Sequence, residues 1–116
     1  MTNIERFNLC KQVCVDDISS AESPYIDWGH YEWGNEGEIE ELKIVISLNE
    51  DDLGLSTTAA MVSKDGDYSS VPESLMPKVE EKINAFRAKI VAEIETVIGT
   101  GVITIHDRIG AKRKVY

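Results

Sequence analysis

Residues 77–98 read PKVEEKINAFRAKIVAEIETVI, and this stretch decides the fold. Its apolar side chains recur three or four positions apart and form one continuous stripe on a helix, at Val79, Ile83, Phe86, Ile90, Ile94 and Val97. Pro77 fits only the first turn of a helix, and Gly99 or Gly101 supplies its end. At 1.5 Å per residue the helix is roughly 30 Å long, which is enough to lie across a whole small sheet.

The chain before this helix alternates between apolar and polar residues, as strands do. Alternation is clearest in residues 42–48, and the same pattern with intervening turn residues predicts further strands over 25–33, 55–63 and 68–71. Residues 19–24 are predicted to be a loop. After the helix we expect a final hairpin, with strands 102–106 and 112–116 around a turn at 107–111. At the other end, Thr2 and Glu5 match a capping box that opens a short helix over about residues 3–15.

Strands outnumber helices, and their connections are short. This combination predicts an α+β two-layer sandwich with a mainly antiparallel sheet of about 4–6 strands. The long helix (about 77–98) packs on one face, together with the short N-terminal helix. With 116 residues, the chain is expected to form a single α+β domain over 1–116.

Charge is distributed unevenly along the chain. Residues 1–77 contain 16 acidic and four basic residues, whereas residues 78–116 contain eight basic and five acidic residues, and the net charge is −9. Because unpaired carboxylates are rarely buried, most of these acids should lie on the surface. Their field repels nucleic acid and anionic membranes and attracts a basic protein surface. Without an apolar spanning segment or a signal-peptide pattern, we expect a cytoplasmic protein.

Motifs for catalysis or cofactor binding are missing from the sequence, so we expect no enzyme, no cofactor and no metal. Cys10 and Cys14 lie four residues apart, but a second ligand pair is absent and His30 and His106 are far apart in sequence. Two small buried thiols explain the cysteines better. The acidic turn at residues 49–54 does not match a calcium-binding loop.

The stretch from Tyr25 to Glu41 is the candidate binding site, because it combines both tryptophans and two tyrosines with many carboxylates. Its members are Tyr25, Asp27, Trp28, Tyr31, Glu32, Trp33, Glu36, Glu38, Glu40 and Glu41. A strand here carries aromatics on both faces, and an open two-layer sheet buries only one face. Exposed rings beside acids suit an arginine-rich partner. The alternative is that these rings simply complete the core.

These observations favour a small acidic protein-interaction module. In its sharpest form it is an inhibitor that mimics the charge of nucleic acid and blocks a nucleic-acid-binding protein, by analogy of size and charge with phage or mobile-element anti-defence proteins. A self-assembling structural subunit, for example of a virion or tail, remains an alternative. There the basic tail (Arg108, Lys112, Arg113, Lys114) pairs with the acidic surface of a second copy in a homo-oligomer. A small ligand-binding domain or enzyme is the third class.

Overall fold

The computed structural model describes residues 1–13, 18–32 and 41–110, with the backbone alone for Glu32 and for residues 107–110. Within these ranges the chain forms two α-helices, one short 3₁₀ turn (Glu73–Leu75) and six strands. The helices are α1 (Asn3–Val13) and α2 (Met76–Ile98). The strands are β1 (Ile18–Glu22), β2 (Tyr25–Glu32), β3 (Glu41–Asn49), β4 (Gly54–Val62), β5 (Tyr68–Ser69) and β6 (Thr104–Gly110).

The strands form one mixed sheet. Strands β1 to β5 are antiparallel neighbours in chain order, and β6 runs parallel to β4 at the edge that β4 also shares with β5. This arrangement confirms the predicted α+β two-layer fold with a mainly antiparallel sheet.

Both helices pack on the same face of the sheet. The sheet contributes alternate residues of β2, β3 and β4 to one buried cluster, among them Trp28, Ile46 and Leu55. The helices contribute Phe7 and Cys10 from α1, and from α2 the stripe Val79, Ile83, Phe86, Ile90, Ile94 and Ile98. The predicted stripe is therefore confirmed, except that it ends on buried Ile98, while Val97 is only partly buried.

Local signals at the helix ends are confirmed. Thr2 Oγ1 accepts a hydrogen bond from the Glu5 N–H, and Glu5 Oε1 accepts one from the Thr2 N–H, so the capping box is complete. The hydrogen bond from the Thr2 backbone lowers the pKa of Glu5. Helix α2 has proline in its first turn and ends at Gly99, which adopts a positive φ of 99°.

The predicted loop at residues 19–24 is wrong, because most of it forms the edge strand β1. Its short polar and small side chains give little alternation to detect. The strand is instead defined by backbone pairing with β2, from Ile18 opposite Trp28 to Glu22 opposite Tyr25. Such pairing does not require an apolar side-chain pattern.

The predicted C-terminal hairpin is wrong in its turn. The strand predicted over 102–106 overlaps β6, but residues 107–110 of the expected turn continue that strand, and residues 111–116 lie outside the described residues. Helix α2 carries the chain back along the sheet, so Thr104–Gly110 can align parallel to β4. The first helix is described only to Val13, and the strand predicted over 68–71 is limited to Tyr68–Ser69.

Candidate functional site

One face of the sheet is not covered by either described helix, and we call it the open face. Strand register places the same-side positions of β2 to β5 on it, between the residues that point into the core. It comprises Tyr25, Asp27, Gly29, Tyr31, Glu41, Lys43, Val45, Ser47, Asn49, Ser56, Thr58, Ala60, Val62 and Tyr68. Aromatic, acidic and small residues therefore share one face of the sheet, on which Tyr25, Tyr31, Glu41 and Ser56 are exposed.

One end of the open face combines an exposed ring with carboxylates. Tyr25 is 48% exposed and pairs across β1 and β2 with exposed Glu22. The half-buried Asp27 lies opposite Ser47, whose hydroxyl donates a 2.6 Å hydrogen bond to Asp27 Oδ1. This contact holds the carboxylate in a fixed position on the face.

The other end is organised around Lys43. Its Nζ donates a 2.8 Å hydrogen bond to the Tyr68 hydroxyl. The same nitrogen lies 5.0 Å from the centre of the Tyr68 ring and 5.6 Å from that of Tyr31, both within cation–π range. The hydrogen bond with Tyr68 raises the pKa of Lys43 above its usual value, and the same bond lowers the pKa of Tyr68.

Ala60 lies beside the cluster that Tyr31, Lys43 and Tyr68 form. Ala60 is fully buried, yet it lies on the open face, outside the core cluster beneath the helices. Its cross-strand neighbour is Lys43, which in turn pairs with Tyr31. Tyr68 is paired with Val62, two positions further along the same strand.

The predicted site residues are only partly brought together. Tyr25, Asp27, Tyr31 and Glu41 lie on the open face, and Tyr31 is 53% exposed. Glu32 ends β2 opposite Leu42. Four predicted members (Trp33, Glu36, Glu38 and Glu40) lie outside the described residues.

Trp28 is a correction to the predicted site. Its side chain is fully buried in the core, because it alternates with Asp27 and Gly29 and points towards the helices. It cannot contact a partner in the folded protein. Among the described residues, the aromatic side chains on the open face are those of tyrosines.

Sequence reasoning did not single out Lys43 or Tyr68. A signal existed for both residues. Alternation along residues 42–48 places Lys43 opposite the apolar face, and the Asp65–Gly66 turn returns the chain so that Tyr68 pairs beside β4. Which residues lie opposite each other on neighbouring strands, however, depends on the strand register, and the sequence does not specify the register directly.

The acidic side chains of residues 1–77 lie mostly at the surface. Among those that the structure describes, two (Asp27 and Glu50) are half-buried and the remaining eight are exposed. One of the exposed carboxylates, that of Asp52, lies 3.5 Å from His106 Nε2. The described part of the molecule therefore has the outward-facing carboxylates that the sequence predicts.

The residues considered for metal binding have other roles where they are described. Cys10 is a buried thiol, and burial raises its pKa to about 11. His30 stacks on Phe86 with ring centres 4.9 Å apart. Across the described ranges, no group of three or more histidine, cysteine or acidic side chains is placed to hold a metal ion.

Comparisons with protein-family models, with curated proteins and with solved structures found no match. The described helices include none that is long and apolar enough to span a bilayer.

Proposed function

We propose that this protein is an acidic interaction module whose open face binds a basic surface on another protein. The observation that supports the proposal is the exposure of Tyr25 and Tyr31 on a face that also carries Asp27 and Glu41. Tyrosine supplies a rigid contact surface, and neighbouring carboxylates complement arginine and lysine. We place this encounter in the cytoplasm.

The sharper version of the proposal is inhibition by charge mimicry of nucleic acid, which would block a basic binding groove. A duplex as long as the chain's longest dimension of 49 Å would carry about 29 charges, at one per about 1.7 Å. The chain's net charge of −9 is about a third of that. Mimicry therefore has to be local, and the aromatic contacts must supply a large part of the affinity.

The test is affinity capture from lysate with the wild-type chain and two surface variants. Glu41→Lys reverses a charge on the open face, and Tyr31→Ser removes an exposed ring. We expect both variants to lose the same captured proteins, at low salt and at physiological salt. Glu81→Lys is the matched control, because it makes the same charge change at an exposed position on α2.

The pattern across variants decides the outcome. If Glu81→Lys loses the captured proteins as completely as Glu41→Lys, attraction is non-specific and the open face is not the site. If the partner is recovered equally by all variants, the proposal is wrong. Duplex DNA is then added to the complex with the purified partner. Displacement of the protein by DNA indicates a nucleic-acid mimic, and no displacement indicates a module that binds elsewhere on a basic protein.

Self-assembly is a second candidate, favoured by the position of β1. Within the described elements, β1 pairs only with β2 and leaves its other edge open to a second copy. Its register shift between Ile18 and Ser20 interrupts a regular ladder and works against such pairing. Sedimentation over a concentration series tests this alternative, and a monomer throughout would exclude it.

A further inference from the structure

The cluster of Tyr31, Lys43 and Tyr68 has more hydrogen-bond donors than acceptors. Lys43 Nζ carries three N–H groups and uses one on the Tyr68 hydroxyl. Because that hydroxyl oxygen accepts from an ammonium, its own hydrogen points elsewhere. Among the described residues, no carboxylate pairs with Lys43, although the surrounding surface is rich in acids. Tyr31 also hydrogen-bonds with Lys43 and with Tyr68. One ammonium N–H and one phenol O–H therefore remain for an outside acceptor.

The cluster is also held in place before any ligand arrives. The Lys43 ammonium is hydrogen-bonded to Tyr68 and lies within cation–π range of both tyrosine rings. The hairpin before Tyr68 is fixed by Ser63, whose N–H donates to the Asp67 carbonyl and whose hydroxyl accepts from the Asp67 N–H. Such preorganisation reduces the entropy lost when a ligand binds.

We propose that Tyr31, Lys43 and Tyr68 form a binding site for a carboxylate group on the open face. One ammonium N–H and one neutral phenol O–H match a single negative charge and two planar oxygen acceptors. A dianionic phosphate fits less well, because the chain's net charge of −9 repels a doubly charged ligand more strongly. The carboxylate comes from a free small acid or from a protein side chain or C-terminus.

The probes are N-acetylglycine and its amide, which differ only in the carboxylate, with inorganic phosphate as a third ligand. Each is titrated at pH 7 and constant ionic strength while NMR follows the tyrosine rings and the Lys43 side chain. We expect saturable shifts at Tyr31, Lys43 and Tyr68 with N-acetylglycine alone. Lys43→Met should reduce the association constant about tenfold, and Tyr68→Phe should reduce it by a smaller factor.

Tyr25→Phe is the control, because it removes a phenol from the same face outside the cluster and should leave the association constant unchanged. A second measurement uses Tyr68 itself. Bound carboxylate competes for the Lys43 ammonium, so N-acetylglycine should raise the pKa of Tyr68 and the amide should not. Equal shifts with acid and amide, or equal losses in Tyr25→Phe and Tyr68→Phe, would overturn the proposal.

Stronger saturation by phosphate than by N-acetylglycine would overturn the choice of ligand. This titration needs no partner protein, so its failure is separable from failure of the capture experiment. If both succeed, a crosslink from Lys43 to the captured partner tests whether a protein carboxylate is the source. Retained N-acetylglycine binding in the presence of saturating partner would show that the source is a free acid.

Discussion

Gly54 begins β4 at a point where only a hydrogen atom fits. A Cβ there would meet the ring of His106 and the carboxylate of Asp52. The Gly54 N–H donates a 2.8 Å hydrogen bond to Asp52 Oδ1, and the other oxygen of that carboxylate faces His106. The glycine thus lets the β3–β4 turn and β6 approach each other.

We expect Gly54→Ala to destabilise the protein by about 1 kcal/mol or less, because the added methyl group meets only the ends of the exposed His106 and Asp52 side chains, which can move. Urea unfolding monitored by circular dichroism measures this change. The double variant with His106→Ala should recover part of the loss, since the clash is then removed. Ser56→Ala, at an exposed position on the same strand, is the control, and an equal loss there would contradict the explanation.

Trp28 is a large buried side chain whose indole N–H has no hydrogen-bond acceptor among the described residues. Trp28→Ala should cost about 3–5 kcal/mol of unfolding free energy, because it leaves a large cavity. Trp28→Phe should cost less, since it keeps an aromatic ring and removes an unpaired donor. Urea unfolding of both variants provides the measurement, and equal losses would contradict the role assigned to the N–H.

Cys10 should be unreactive in the folded protein. Its pKa of about 11 leaves about one thiol in a thousand ionised at pH 8, and the side chain is fully buried. Iodoacetamide labelling in a Cys14→Ser background measures this single site. Labelling should be slow without urea, accelerate as the fold opens, and rise as the pH approaches 11. Rapid labelling without urea would show that the thiol is accessible.

Among the helices and strands, the sequence correctly predicted those in which buried apolar side chains recur at a regular spacing. The stripe of α2 and the alternation of β3 both reflect one buried face, and the capping box at Thr2 is a local hydrogen-bond pattern. Strand β1 was missed because its small and polar side chains show no alternation. Strand β6 was predicted only over 102–106 and as half of a hairpin, because its extent depends on pairing with the distant β4. The same limit applies to the candidate site. Alternation along β2 is enough to place Tyr31 on the open face, but the contact between Lys43 and Tyr68 depends on the register of the strands.

Strand β6 covers part of one edge of β4, so its removal should have two effects. A chain that ends after Ile103 loses the pairing from Gly54 opposite Thr104 to Thr58 opposite Gly110. We expect a lower unfolding midpoint in urea and concentration-dependent association, because the β4 edge becomes available to other chains. A chain that ends after Gly110 is the control. Light scattering that shows the same monomer for both would contradict this expectation.

For the whole molecule, the net charge of −9 acts on association more than on the fold. Charges farther apart than about 8 Å are largely screened at physiological ionic strength. Eight of the ten described acidic side chains of residues 1–77 are exposed, so their combined field is open to solvent. The field should therefore act mainly on the rate of association with a partner, and the tyrosine rings mainly on the rate of dissociation.

We expect the association rate with a captured partner to fall about tenfold or more from low to physiological salt, because steering is screened. Glu41→Lys should slow association further, whereas Tyr31→Ser should mainly speed dissociation. Stopped-flow or surface-based kinetics over a salt series measures both rates. An association rate that does not change with salt would remove the electrostatic part of the proposal.

The placement of β6 also has a consequence for how the protein is made. Strands β1 to β4 pair with their neighbours in chain order, so they can assemble as soon as each one leaves the ribosome. The partner of β4's first half lies beyond α2, about fifty residues later. Until translation passes Gly110, the first half of β4 has an unpaired backbone edge, to which a chaperone or a neighbouring chain can bind. Among the described strands, β6 is synthesised last, and its pairing completes this edge of β4.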